Sequence, residues 1–262
     1  MSTRIALAQV NSTADPAANL AVIDSYTTRA AAAGARLVVF PEAMMRCFGG
    51  PLAPVAEPAD GPWADAVRGI AERAGLTVVA GMFTPADSGR VRNTLLVTGG
   101  GAEAHYDKIH LYDAFGYAES DTVAAGDKPL LVELDGLRVG LATCYDLRFP
   151  GLFQAMAADG ASLIVVPASW GDGPGKVEQW RLLTRARALD STAYVAACDQ
   201  ALPVTAGDTT APLGVGHSCV VAPDGQVLAA LGSGAELLIA DIDSDRIAQV
   251  RQALPVLANR RY

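Results

Sequence analysis

Short apolar runs recur along this chain with helical stretches between them, and that alternation constrains the fold more than any other feature. A strand buried on both faces reads as a continuous apolar run bounded by turn signals. Residues 5–10 form the first such run. Residues 17–33 carry Ala, Leu, Val and Ile at helical spacing, with Gly34 placed as a C-cap. Residues 37–40 predict a buried strand halted by Pro41. Residues 62–74 predict a helix closed by Gly75, and 77–82 a further strand.

The middle of the chain changes character. Strands at 93–97 and 102–106 flank Thr98-Gly99-Gly100-Gly101, a hairpin signal. Strands at 130–134 and 137–142 flank Asp135-Gly136, one of the strongest short hairpin signals. A helix at 152–158, a strand at 162–166, a helix at 176–189 and a strand at 193–198 follow. Strands at 217–221, 227–231 and 237–241 and a last helix at 244–252 complete the series. Strands alternating with helices, plus hairpins, predict an α/β fold with a mixed sheet covered by helices. Two facing sheets accommodate so many strands. No repeat or linker divides the chain, so 1–262 reads as a single domain. The polar stretch 203–216 reads as a long surface loop.

Hydrophobic residues at 51% and charged residues at 18% supply a core and exclude disorder. A net charge of −8 gives no hint of nucleic-acid or anionic-membrane partners. Residues 1–10 hold too short an apolar run for a signal peptide, and no uncharged stretch is long enough to span a bilayer. Cys47, Cys144, Cys198 and Cys219 form no C-x-x-C pair and no disulfide framework. A reducing cytoplasm is the simplest compartment.

Three residues stand out for chemistry. Cys144 follows the run 137–142 at a polar turn, where α/β sheets tend to place ligands. A thiol there is a nucleophile if a base and a positive charge come from elsewhere in the fold. Glu42 also follows a strand, and Ala43, Met44 and Met45 make its surroundings apolar. A desolvated carboxylate has a raised pKa and works as a base near neutrality. Lys108 lies among aromatic residues in His105-Tyr106-Asp107-Lys108-Ile109-His110-Leu111-Tyr112, and a buried ammonium there would stabilise an oxyanion. By position alone each also fits a plain role: a small buried side chain, a solvated loop acid, a surface lysine.

Other motifs fail. His105 and His110 are five apart and have no cysteine pair beside them, so no zinc or other metal site is expected. Gly171-Asp172-Gly173-Pro174-Gly175-Lys176 lacks the spacer and following hydroxyl of a P-loop and the spacing of a dinucleotide fingerprint. No cofactor is implied.

Taken together, the blocks Phe40-Pro41-Glu42, Tyr106-Asp107-Lys108-Ile109-His110-Leu111 and Thr143-Cys144-Tyr145-Asp146-Leu147-Arg148-Phe149-Pro150 resemble the base, lysine and nucleophile motifs of the nitrilase superfamily of carbon–nitrogen hydrolases. Glu119, in Tyr117-Ala118-Glu119-Ser120, matches that family's second glutamate. Leu111-Tyr112-Asp113, Arg185-Ala186-Arg187-Ala188 and the tail 251–256 are most similar to the branch of omega-amidases and deaminated glutathione amidases. The loop 43–51 and Ala168-Ser169-Trp170 depart from that branch, and both would line the pocket in such a fold.

The resemblance implies a four-layer α-β-β-α sandwich, usually dimerised through helices. It implies a cysteine-dependent amidase that turns a small non-peptide amide into an acid and ammonia through a thioester. Glu42 would be base, Lys108 and the backbone N–H of Tyr145 oxyanion donors, and Glu119 an orienter. In related carbamoylases the arginine matching Arg148 contacts the substrate carboxylate; an ion pair with Asp146 is the structural alternative here. His110, Phe115, Tyr117 and Trp170 are candidates for the pocket wall. An omega-amide, deaminated glutathione, an N-carbamoyl amino acid and a nitrile all stay open as substrates. Two other readings use the same thiol: an acyltransferase or thioesterase, and a non-catalytic redox sensor or scaffold.

Overall fold

The computed structural model describes residues 2–203 and 211–261. Its strands are, in chain order, β1 (Ser2–Gln9), β2 (Leu37–Val39), β3 (Thr77–Pro85), β4 (Val91–Gly99), β5 (Ala102–Asp107), β6 (Asp113–Ala114), β7 (Tyr117–Ala118), β8 (Leu131–Leu134), β9 (Leu137–Leu141), β10 (Leu163–Ala168), β11 (Tyr194–Asp199), β12 (Cys219–Val221), β13 (Val227–Ala230) and β14 (Glu236–Asp243). The helices are α1 (Pro16–Ala32), α2 (Pro62–Ala74), α3 (Pro150–Ala158), α4 (Lys176–Ser191), α5 (Ser244–Ala253) and the short α6 (Val256–Asn259).

Two six-stranded sheets carry the fold, ordered β14-β1-β2-β3-β4-β5 and β13-β12-β11-β10-β9-β8. At the centre of each, three strands are parallel: β1, β2 and β3 in one, β9, β10 and β11 in the other. Parallel neighbours need a crossover, and α1, α2, α3 and α4 supply one each. The flanking strands are antiparallel: β3–β4, β4–β5, β8–β9 and β12–β13 close as hairpins, while β14 pairs with β1 from the other end of the chain and β12 with β11 across a long connection. Asp135 and Gly136 both take positive φ, at 47° and 79°, as the tight turn between β8 and β9 requires.

Side-chain alternation builds the layers. In β1, Ile5 and Leu7 join Val139, Leu163 and Tyr194 in a core between the sheets. Ala6 and Ala8 point the other way and pack with Ile23 and Ala30 of α1. In β10, Leu163 and Val165 face the inter-sheet core, while Ile164 and Val166 meet Met156 of α3 and Trp180 of α4. The result is the α-β-β-α sandwich that the resemblance implied, and it accommodates the strand count read from the alternation.

The differences are local. β6 and β7 are two residues each, too short to register as apolar runs. The segment after β9 is not a plain turn but a 3-10 helical turn, Cys144–Arg148. Helix α3 begins at Pro150, two residues earlier than expected, because proline is favoured in a helix's first turn. Of the loop expected at 203–216, residues 204–210 lie outside the described residues. The rest is not a surface loop: Pro212, Gly214, Val215 and Gly216 are buried. Gly214 N–H donates to the Trp170 carbonyl at 3.1 Å and Val215 N–H to Asp199 at 2.8 Å, which anchors this stretch beside the end of β10.

Candidate active site

Glu42, Cys144 and Ser169 all follow the C-terminal ends of parallel strands, and Lys108 follows β5. One cleft collects them, as expected for open α/β sheets. Glu42 sits in a bend of the chain after β2, where Ala43 takes φ 60°. That bend lies hard against β3 at Gly81, where a Cβ would fall 2.4 Å from the Ala43 nitrogen. Glycine is the one residue that lets the two backbones approach this closely.

Glu42 is 1% exposed and fully hydrogen-bonded. Its Oε1 accepts from Lys108 Nζ at 2.9 Å and from Asn93 Nδ2 at 2.6 Å; its Oε2 accepts from the Ser169 N–H at 2.9 Å. Lys108, 2% exposed, also reaches Glu119 Oε2 at 2.8 Å. Glu119 takes further bonds from Asn93 at 3.0 Å and from the Tyr112 N–H at 2.7 Å. Cys144, at φ 45°, opens the helical turn and presents its thiol 3.8 Å from the Ser169 carbonyl.

Burial sets the protonation states. Burial pushes the Glu42 carboxyl above its ordinary range, although Lys108 pulls it down. Burial also pushes the Cys144 thiol well up, and the Glu42 charge adds to it. The resting thiol is therefore protonated and needs a base. Burial alone would lower the Lys108 pKa, but Glu119 and Glu42 outweigh it and the ammonium stays charged.

The cleft has an empty volume of about 380 Å³, counted out to its open mouth. Tyr145, Arg148, Tyr117 and Trp170 line it, as the sequence suggested. His110 does not. Asp146 captures it: Oδ1 accepts from the His110 N–H at 2.9 Å and meets ring Nδ1 at 2.7 Å, and the ring stacks on Phe149. Phe115 is 74% exposed and lies outside the cleft wall. Arg148 does not pair with Asp146, whose Oδ2 is taken by Tyr106 Oη at 2.7 Å and the Thr143 N–H at 2.8 Å. Its guanidinium bonds Gln179 at 2.7 Å and lies 5.0 Å from the Trp170 ring centre.

Sequence reasoning missed Asn93 and Lys176; it put Ser169 in the pocket wall without its bond to Glu42, and paired Asp146 with Arg148 instead of with His110, Tyr106 and Thr143. Asn93 had a signal: an asparagine inside an apolar strand run is out of place unless it is bonded. The Ser169 bond to Glu42 had none, since it is made by the backbone. Among the described residues, no group of three His, Cys, Asp or Glu side chains is arranged to hold a metal ion.

This fold and site define an α/β sandwich enzyme whose cleft holds a buried thiol beside a carboxylate–ammonium cluster. The sequence model of carbon-nitrogen hydrolases matches residues 4–252, and the chain belongs to that family, within the nitrilase superfamily. It is 57% identical over 266 residues to hydrolase Rv0480c of Mycobacterium tuberculosis, covering 98% of this chain and 95% of the relative. It is 40% identical over 206 residues to deaminated glutathione amidase of Escherichia coli, covering 78% of this chain and 75% of the relative. With omega-amidase NIT2 of Homo sapiens the identity is 33% over 268 residues, covering 99% and 95%. Saccharomyces cerevisiae Nit3 superposes with a TM-score of 0.86 at 26% identity, covering 100% of this chain and 97% of that one. A mutant amidase from Nesterenkonia, with the acetamide moiety of fluoroacetamide covalently added at its active-site cysteine, gives 0.78 at 29% identity, covering 96% and 94%. Membership makes the protein an enzyme and sets aside the sensor and scaffold readings.

Proposed function

We propose that this enzyme is a cysteine-dependent amidase that hydrolyses a small non-peptide amide to a carboxylic acid and ammonia. The observation that carries this reading is that one cleft holds the buried Cys144 thiol together with the buried Glu42 carboxylate and Lys108 ammonium, which are 2.9 Å apart. Glu42 takes the thiol proton as sulfur bonds to the amide carbon and the carbonyl electrons move to oxygen. Lys108 and the Tyr145 N–H hold that oxyanion; N–H groups at the start of a helical turn have no partner inside it. The oxyanion collapses, the C–N bond breaks, and ammonia leaves with the proton from Glu42. Glu42 then deprotonates water, which attacks the thioester, and the thiol regains its proton as the acid departs. Glu119 holds the Lys108 ammonium in place.

Omega-amides and deaminated glutathione are the substrates to test first, since relatives named for both match this chain. We further propose that residues 1–262 act as one domain, that the enzyme works as a homodimer, and that it resides in the cytoplasm. The unpaired cysteines support the last point, and exposed Leu182 and Leu189 on α4 support the dimer. The decisive experiment is an ammonia-release screen across omega-amides, deaminated glutathione, N-carbamoyl amino acids and nitriles. Cys144→Ala should release none while keeping its fold. Turnover retained in that variant removes Cys144 as nucleophile.

A further inference from the structure

Asp199 ends β11 and is fully buried behind the cleft wall, and the reaction derived above makes no use of it. Its carboxylate joins two segments of backbone. Oδ1 accepts from the Trp170 N–H and Oδ2 from the Val215 N–H, both at 2.8 Å. A buried carboxylate is costly unless its oxygens are bonded. An amide side chain offers only one acceptor oxygen and could not serve both N–H groups.

The Trp170 N–H belongs to the Ser169–Trp170 peptide. The other side of that peptide is the Ser169 carbonyl, which takes the Cys144 thiol at 3.8 Å. One rigid, planar peptide group therefore lies between the Asp199 carboxylate and the nucleophile, and fixing its N–H fixes its carbonyl. The preceding peptide is held on both sides as well. The Ser169 N–H donates to Glu42 Oε2 at 2.9 Å, and the Ala168 carbonyl accepts from the Gln200 N–H at 3.0 Å. Gln200 Nε2 also donates to the Glu42 carbonyl at 2.9 Å. The end of β11 thus braces the chain that meets both thiol and base. Charge acts in the same place. Burial raises the Cys144 pKa most, the Glu42 charge adds to it, Lys108 opposes it, and the Asp199 charge adds again. Burial pushes Asp199 itself up to about 8 although its N–H partners pull it down, so its charge is in place in the alkaline range where the thiol ionises.

We infer that Asp199 is a positioning residue for the reaction: by gripping the Ser169–Trp170 peptide it aims the Ser169 carbonyl at the thiol and the Ser169 N–H at the base. Turnover as a readout rests on the amidase reading, but thiol reactivity is measurable without it. The test is Asp199→Asn, with folding checked by circular dichroism. On pentanamide, kcat should fall roughly tenfold to a hundredfold, the scale of a small misplacement of reacting groups, with KM little changed. The pH at which iodoacetamide begins to alkylate Cys144 should move down, because a negative charge that disfavours the thiolate has gone. Loss of packing alone would not move it. Unchanged kcat in the folded variant overturns the inference, and so does a fall in kcat with an unmoved alkylation profile. If wild-type enzyme hydrolyses no amide, the amidase reading falls and the alkylation profile decides the role of Asp199 by itself.

Should Asp199→Asn fail to fold, the wild-type peptide decides. Ser169-Trp170 is the one Ser–Trp pair in the chain, so carbonyl-labelled serine with nitrogen-labelled tryptophan marks this peptide alone in NMR spectra. Its amide proton should lie well downfield, as a charge-assisted bond to a carboxylate requires. Its carbonyl carbon signal should move when Cys144 is alkylated and the S–H donor is lost. An amide proton at the ordinary position, or a carbonyl indifferent to alkylation, overturns the inference.

Discussion

Glu42 and Glu119 share two donors. Lys108 Nζ lies 2.9 Å from Glu42 and 2.8 Å from Glu119, and Asn93 Nδ2 lies 2.6 Å and 3.0 Å from the same two residues. All four side chains are buried. Two carboxylates this deep repel each other strongly unless a cation lies between them. The ammonium therefore has a structural duty besides any role in the reaction.

Lys108→Met should separate these duties. Removing one partner of a buried ion pair typically costs about 3–5 kcal/mol, because the remaining charges stay buried. In the variant, the Glu119 charge should hold the Glu42 pKa up with no ammonium to pull it down. The folded state then binds protons that the unfolded state has released. Stability is present below the ordinary glutamate range and is lost as pH rises through the raised folded value. Thermal unfolding should give a higher Tm at mildly acidic pH than above neutrality, with a steeper dependence than in wild type. A pH-independent loss would speak against the shared-cation account.

Asn93→Ala removes the amide donor and leaves the cation. Hydrogen bonds to charged groups are worth about 1.5–3 kcal/mol, so kcat/KM should fall roughly tenfold to a hundredfold. The acid limb of the pH profile should also move upward, since the carboxylate form of Glu42 loses support. A uniform rate loss with no shift in the limb would assign Asn93 to packing alone.

Asn93 also shows where sequence reading stops. The alternation of apolar runs predicted the strands and left room for two sheets, and the ends of those runs made Glu42 and Cys144 candidates that the motif resemblance then joined. That works because burial on both faces leaves a continuous apolar signature. What binds these residues together has no periodicity. Asn93 and Asp146 are single polar side chains, and the Ser169 N–H is backbone that any residue supplies. His110 was misplaced for the same reason: a histidine beside a nucleophile motif looks like pocket wall until Asp146 is seen to hold it.

Glu42 should impose an acid limb on turnover. The base form is the carboxylate, and burial raises its pKa. As pH falls through that raised value the base is protonated and kcat/KM drops; as pH rises through it, activity returns. The midpoint should lie above the ordinary glutamate range. An uncharged amide such as pentanamide is the substrate to use, so that no substrate carboxylate titrates in the same window. A midpoint at the ordinary value would mean that Glu42 is not the group observed.

Gly81→Ala should damage the site without touching a reacting group. The new Cβ would lie 2.4 Å from the Ala43 nitrogen and 2.9 Å from the Glu42 Cα. These are backbone atoms and cannot swing aside, so Glu42 must move. Overpacking of this kind costs about 1–3 kcal/mol or more. Both Tm and kcat should fall. Unchanged kinetics would show that the bend after Pro41 adapts.

Asp146 makes the last prediction, because it fixes the turn that carries the thiol while touching no substrate. It is fully buried, and its two oxygens serve four donors. Oδ1 takes the His110 N–H and ring Nδ1; Oδ2 takes the Tyr106 hydroxyl and the Thr143 N–H, one residue before the nucleophile. Asp146→Asn turns one oxygen into an NH₂ group, so whichever side it takes, one backbone N–H, that of His110 or of Thr143, faces a donor, while ring Nδ1 or the Tyr106 hydroxyl can turn to accept. Each buried group left unsatisfied costs about 1–3 kcal/mol. Tyr106→Phe removes only one donor and leaves Oδ2 to Thr143. Asp146→Asn should therefore lower Tm and slow iodoacetamide alkylation of Cys144 far more than Tyr106→Phe does. Equal effects would mean that the hydroxyl, and not the grip on Thr143, positions the thiol.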